Sequence, residues 1–262
     1  MTPIPAPESD SVADLQRALQ AARDELQAFT YTVSHDLRAP LRHINAFAQI
    51  IEEDWLTMPP EVAGHLATIR QSAQLLTRQL DGLTALSRLA QAPLHMALLN
   101  ASALVADGVT ALSQGHGSRQ IDWQLAPGLP EIWADEAMLQ QVLGHVLDNA
   151  AKFTRPRNPA RIQIGGDRLP AGGAVLTIAD NGVGFKPGQA DQLFKVFARL
   201  HPAREFDGLG LGLVMSHKLM ARMGGGIQIT AEPDRGCTVR LRLMAPPMGA
   251  QHSESSAAGR IL

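Results

Sequence analysis

The sequence has a single cysteine, Cys237, in 262 residues. One thiol excludes an intramolecular disulfide framework and a cysteine-built zinc site, and it fits a reducing compartment. Neither sign of charge is in excess. The formal net charge is −2, with Lys and Arg spread along the chain, so there is no basic footprint for nucleic acid or for an anionic membrane. No apolar run approaches the roughly 18 residues that span a bilayer, and "MTPIPAPESD" lacks the basic start and apolar stretch of a secretory leader. We expect a cytoplasmic protein without membrane insertion. At 45% hydrophobic and 18% charged, a chain of this length buries one good-sized core and a second smaller one.

Apolar residues recur at Leu15, Leu19, Ala22, Leu26, Phe29, Val33, Leu37, Leu41 and Ile44, the spacing of a coiled-coil seam. "LTMPPE" breaks the pattern, and a second run follows through Val62, Leu66, Ile69, Ala73, Leu76, Leu80 and Leu83. This predicts two long helices joined by a short turn. Such a hairpin cannot cover both apolar stripes itself, so two copies forming a four-helix bundle are expected, a homodimer. Beyond Ala92 the texture changes to mixed α/β. "HMALLN", "QIDWQLA", "EIWA", "RIQIGG", "GAVLTIAD", "GIQITAE" and "CTVRLRLM" read as strands, and three stretches between them read as helices. The order favours an α+β arrangement, a mixed sheet with helices on one face. Between Phe185 and Gly208 neither period is sustained, as in a functional loop or lid.

Two constellations carry chemistry. In "SHDLRAPL", His35 lies two positions from Val33 and from Leu37 and is expected to face water, as a nucleophile must. Asp36 can accept a hydrogen bond from one ring nitrogen and stabilise positive charge as the other attacks. Pro40 is expected to kink the helix just beyond the pair. On its own, such a pair reads more readily as a solvated surface pair. The second constellation has more parts. "DNAAKF" places Asn149, Lys152 and Phe153 within one helical turn, Asp180 ends a strand before the glycine turn Gly182 and Gly184, and Gly208, Gly210 and Gly212 stand directly before a helix. Glycines there let backbone approach a phosphate, and amides at the helix start favour its charge.

In that order "SHDLRAPL", "LDNAAKFT", "DNGVGF", "LFKVFARLH" and "GLGLGL" resemble the H, N, first glycine, F and second glycine boxes of two-component sensor histidine kinases, most like the phytochrome-type branch. The resemblance spans residues 15–245. Composition leaves 1–10 and 246–262 as flexible ends, and the resemblance implies a dimerisation and phosphoacceptor hairpin at 11–92 and an ATP-binding catalytic domain of the histidine kinase type at 93–245. It also implies His35 as phosphoacceptor, Asp36 as the acid assisting it, Asn149 on a Mg2+ ion bridging the ATP phosphates and Lys152 on those phosphates. Asp180 would receive the adenine amino group, Arg199 would serve as lid arginine, and Gly208, Gly210 and Gly212 would line the triphosphate. The implied partners are a second copy, a response regulator receiver domain and an upstream sensor, either a domain of a longer protein or a separate protein gripping Leu15 to Phe29.

Three positions depart from the family pattern. His145 stands where another asparagine is common, which alters magnesium or phosphate contacts, and Leu209 replaces a frequent small hydroxyl residue. Ala39, four residues after His35, cannot hold the hydrolytic water that Thr or Asn holds there, which predicts weak or absent phosphatase activity. Two rivals to the kinase remain at this point: a catalytically degenerate kinase acting as a phosphotransfer or docking scaffold, and a clamp ATPase of the chaperone or topoisomerase kind. The second has no need of an exposed histidine on a helical hairpin. Trp123 and Trp133 read as packing, Cys237 as a small apolar filler, and the remaining histidines show no metal-ligand spacing.

Overall fold

The structure is a computed structural model that describes residues 9–89, 92–115, 119–202 and 204–247. The chain divides into two compact units, 1–91 and 92–262. The ends expected to be flexible lie almost wholly outside the described residues.

The first unit is a hairpin of α1 (Ser9–Asp54) and α2 (Pro60–Arg88). Proline opens α2, where its missing amide hydrogen costs nothing and its fixed φ suits a first turn. The arms run antiparallel, because Arg38 pairs with Asp81 at 2.9 Å and Arg70, nearer the turn, pairs with Glu52. Helix α1 runs unbroken through Pro40. Having no amide hydrogen, Pro40 leaves the Asp36 carbonyl, one turn back, without its helical partner.

Within a single chain the hairpin buries only part of the heptad seams: Leu41 on α1, and Leu66 and Ala73 on α2. Of the α1 seam read from the sequence only Leu41 is buried; the line closed against α2 runs Ser34, Leu41 and Ala48, facing Leu66 and Ala73. Leu26, Phe29, Val33, Leu37 and Ile44 stay exposed, as do Ile69 and Leu76 on α2. Two stripes recur every seven residues on each arm, and a two-helix hairpin can close on only one. Within one chain it closes on Ser34, Leu41 and Ala48 against Leu66 and Ala73, and leaves Leu26, Phe29, Val33, Leu37 and Ile44 outward.

The second unit runs β1 (Met96–Asn100), α3 (Ala101–Gly115), β2 (Ile121–Leu125), β3 (Glu131–Asp135), α4 (Glu136–Phe153), β4 (Ala160–Arg168), β5 (Ala174–Asp180), a 3-10 segment (Pro187–Phe194), α5 (Gly212–Arg222), β6 (Gly226–Glu232) and β7 (Gly236–Leu243). The main sheet has the order β2-β4-β5-β7-β6, and β1 pairs with β3 in a separate ribbon. Only β2 and β4 run parallel; the other pairs are antiparallel. Alternation sets the faces. Ile162, Ile164, Leu176, Ile178 and Leu241 are buried on one side, with Leu139, Leu143 and Leu147 of α4 and Leu219 and Met220 of α5 in the same core. Their neighbours Gln163, Arg240 and Gln228 remain exposed. Asp135 caps α4, accepting from the Met138 amide at 3.0 Å, as a residue at that position should.

Candidate active site

On the hairpin, His35 lies one position past the buried Ser34 and its side chain is 68% exposed. The Asp36 carboxylate lies 3.2 Å from Nδ1. When Nδ1 donates to it, Nε2 keeps its lone pair toward water, and Tyr31 stacks on the ring from one turn earlier with centroids 6.4 Å apart. The geometry is that of an accessible nucleophile with a carboxylate ready to balance positive charge.

In the second unit, β5 carries Leu176, Ile178 and Asp180 on one face, so the strand that builds the core also delivers a carboxylate to the covered side of the sheet. Asp180 accepts from the Gly182 amide at 2.8 Å and from the Cys237 amide at 3.3 Å. Burial nevertheless dominates and pushes its pKa up to about 6, with the two amides pulling the other way. At neutral pH it is a desolvated carboxylate, able to accept from an amino group.

Helix α4 supplies the second wall. Lys152 Nζ donates to the Asn149 carboxamide oxygen at 2.8 Å and lies 4.8 Å from the Phe153 ring centre. Burial first, then Arg155 and Arg199, hold its pKa below the usual lysine range, against Asp148 and Asp207. A poorly hydrated ammonium is suited to a phosphate. The Asn149 oxygen is a hard donor of the kind magnesium takes, and no group of three or more acidic, His or Cys side chains among the described residues could cage a metal alone. Magnesium at nucleotide sites is commonly held by few protein oxygens, with phosphate oxygens and waters making up the rest of the shell. The residues fit the ion.

The glycines divide by cause. A Cβ on Gly184, which has φ +58°, would stand 2.0 Å from the Glu232 carbonyl oxygen, and one on Gly210, with φ +71°, would stand 2.5 Å from that of Ala198. Both close on protein backbone, not on a space left for phosphate. Gly208 instead faces the Lys152 ammonium, with Nζ 3.3 Å from where its Cβ would be, and Gly212 faces the His145 ring at 3.5 Å. Arg199 donates to the Gly208 carbonyl at 2.9 Å and to that of Phe206, so it braces the segment between the F box and the second glycine run.

Two family models match the chain. Residues 25–92 match the His Kinase A (phospho-acceptor) domain and residues 134–247 match the histidine kinase-, DNA gyrase B- and HSP90-like ATPase. The ATPase match alone leaves the family open, but a phospho-acceptor hairpin before it does not. This chain belongs to the histidine kinases. It is 30% identical over 229 residues to the methanogenesis regulatory histidine kinase FilI of Methanothrix harundinacea, covering 87% of this chain and 26% of that one. With cyanobacterial phytochrome B of Nostoc sp. it shares 28% identity over 234 residues, 88% of this chain and 31% of the relative. The chain thus spans about a quarter to a third of the curated relatives it matches. Among solved structures, full-length ShkA in complex with AMPPNP superposes with a TM-score of 0.57 at 25% identity, covering 84% of this chain and 47% of that one. The Acinetobacter baumannii histidine kinase AdeS shares the fold, with a TM-score of 0.56 at 22% identity over 80% of this chain and 97% of that one.

Several residues near the site were given no role by the sequence reading. His201 Nε2 lies 3.0 Å from the Gly184 carbonyl oxygen, to which it donates, and its ring joins Phe153 and Phe206 in a cluster with centroids 5.0 to 5.4 Å apart. It latches the irregular segment onto the first glycine turn. Arg157 donates to the carbonyls of Asn181 and Gly182 at 3.0 Å and to the Asp234 carboxylate at 2.9 Å. Arg155 pairs with Asp207 at 2.6 Å, and that bond, before other causes, holds the Asp207 carboxyl below its usual range. Only the charge of Arg155 and Arg157, close after "DNAAKF", hinted at a structural duty.

Proposed function

We propose that this chain is the transmitter region of a two-component sensor kinase: it autophosphorylates His35 from Mg-ATP and passes the phosphoryl group to an aspartate of a separate response regulator. The carrying observation is the water-facing His35, with Asp36 at Nδ1 and Nε2 free to attack. Nε2 bonds to the γ-phosphorus as the bond from that phosphorus to the β–γ bridging oxygen breaks, and ADP leaves with the electron pair. Asp36, beside Nδ1, balances the charge on the ring. In the second step the N–P bond breaks as a carboxylate oxygen of the regulator takes the phosphorus.

Phosphoryl transfer asks chiefly for alignment and charge neutralisation. Lys152 and Arg199 supply positive charge, and Asn149 holds the magnesium ion, which when bound neutralises phosphate charge. Asp180 selects adenine, because a carboxylate accepts from the exocyclic amine but faces the lone pairs of guanine's carbonyl. The working form is a homodimer joined along the exposed stripe through Phe29, Val33, Leu37 and Ile44, and the two domains are hairpin 11–92 and catalytic domain 93–245.

Incubation with labelled ATP and magnesium tests the proposal. We expect acid-labile, base-stable label on wild type and none on His35→Ala or Asn149→Ala. Label mapped to any residue other than His35 overturns it. Tight ATP binding with no label at all would mark the chain as a phosphotransfer scaffold instead.

A further inference from the structure

A cleft of about 440 Å3 opens at the free edge of the main sheet, between the end of α3 and the edge strand β2, outside every motif quoted above. Ile121 and Trp123 of β2 lie in register with Ala160 and Ile162, which are buried under the helices. Both remain half-buried, and with Leu112 and Pro159 they form an apolar wall open to water. Trp123, which the sequence marks as packing, thus lines a space that no side chain fills.

The same cleft holds Arg119. Its guanidinium donates to the Ala151 carbonyl at 2.6 Å and to Thr154 Oγ1 at 3.1 Å. Ala151 and Thr154 end α4, and a helix C-terminus supplies only partial negative charge. Burial, then the charge of Arg155, lower the Arg119 pKa, and among the described residues no carboxylate pairs with it. The acid in the lining, Asp122, is engaged elsewhere: it accepts from Arg161 at 3.2 Å and from Gln124 at 2.7 Å. A half-buried guanidinium with N–H groups to spare and no counter-ion, set beside an apolar wall, is the complement of a small anion with a flat apolar body.

We propose that this cleft is a second ligand site, which takes a small aromatic monocarboxylate: the ring lies against Trp123 and Ile121, and the carboxylate accepts from Arg119. The volume is in the range of small-molecule sites. Asp122 in the wall limits the ligand to one negative charge. The site stands whether or not the nucleotide reading does, since none of its residues belongs to that pocket.

The test is a titration of the full chain, 15N-labelled, with sodium benzoate and with its neutral analogue benzamide at fixed ionic strength. The readout is the indole N–H signal of Trp123, assigned with Trp123→Phe. We expect benzoate to move that signal along a saturable curve and benzamide to bind roughly tenfold more weakly, the margin of a charge-assisted hydrogen bond over a neutral one. Arg119→Gln should erase the preference and Arg119→Lys should keep much of it. Ser113→Phe, which fills the cleft from α3 and leaves Arg119 in place, should block both probes without lowering the melting temperature. No saturable shift with benzoate, equal binding of the two probes, or Ser113→Phe binding benzoate like wild type would each overturn the proposal, as would an Arg119→Gln protein that keeps the preference. If Arg119→Gln does not fold, the two probes on wild type and on Ser113→Phe decide the matter.

Discussion

Asp180 stores a conflict between folding and function. Its pKa is raised by burial from 3.8 to about 6, so the folded protein holds this proton more tightly than the unfolded chain does. Stability from this group is therefore fully present in acid, is lost as pH rises from about 4 to about 6, and is absent at neutral pH. Asp180→Asn keeps an oxygen for the two amides and removes the desolvated charge. We expect it to stabilise the second unit by about 1–3 kcal/mol at pH 7, a unit of pKa being worth about 1.4 kcal/mol. The gain over wild type should shrink as pH is lowered toward 4, which thermal melts of the two proteins at several pH values will check. The same variant should lose its preference for ATP over GTP in competition binding. Beside the proposed phosphoacceptor, Ala39 offers no hydroxyl or side-chain amide to a water. Purified protein with ADP should leave a phosphorylated regulator intact, and Ala39→Thr should speed its loss, measured as the decay of labelled regulator.

Helix α4 is the element on which both the core and the proposed nucleotide site depend. Its buried face carries Leu139, Leu143 and Leu147, each at 1% exposure or less, and its end carries Asn149 and Lys152. Leu143→Ala should cost about 2–5 kcal/mol, the range for emptying a buried leucine site, read from urea unfolding of the second unit. What was legible here was local. Alternation gave the strands, and the 3.6 period gave α4 with its pocket residues on one face. The contacts that fix the pocket were not legible, since they join positions far apart: Arg157 meets Asp234 across 77 positions and His145 meets Ser216 across 71. Nothing in a local window says which strand ends will meet. The glycine turns were legible as turns, but the reason for Gly184 and Gly210, backbone pressed against backbone, needed the fold.

At the scale of the molecule, the hairpin turns outward a stripe of large apolar side chains, with Phe29 at 65% exposure. Such a stripe marks an interaction face. Phe29→Glu combined with Leu37→Glu should shift sedimentation from a dimer to the 28.1 kDa monomer, while leaving nucleotide binding by the second unit intact. That the chain holds a hairpin and a mixed sheet was plain from the change of period after Ala92. That α1 closes on Ser34, Leu41 and Ala48 was not, because Ser34 reads as polar and only packing shows it inside.

The setting of residue 35 also bears on how long a signal can last. In the proposed reaction, a phosphoryl group on an imidazole that is two-thirds bare has little but solvent around it, so the store leaks. The charge it holds must be spent on a partner sooner than water can claim it, and the lifetime of that bond becomes the clock of the device.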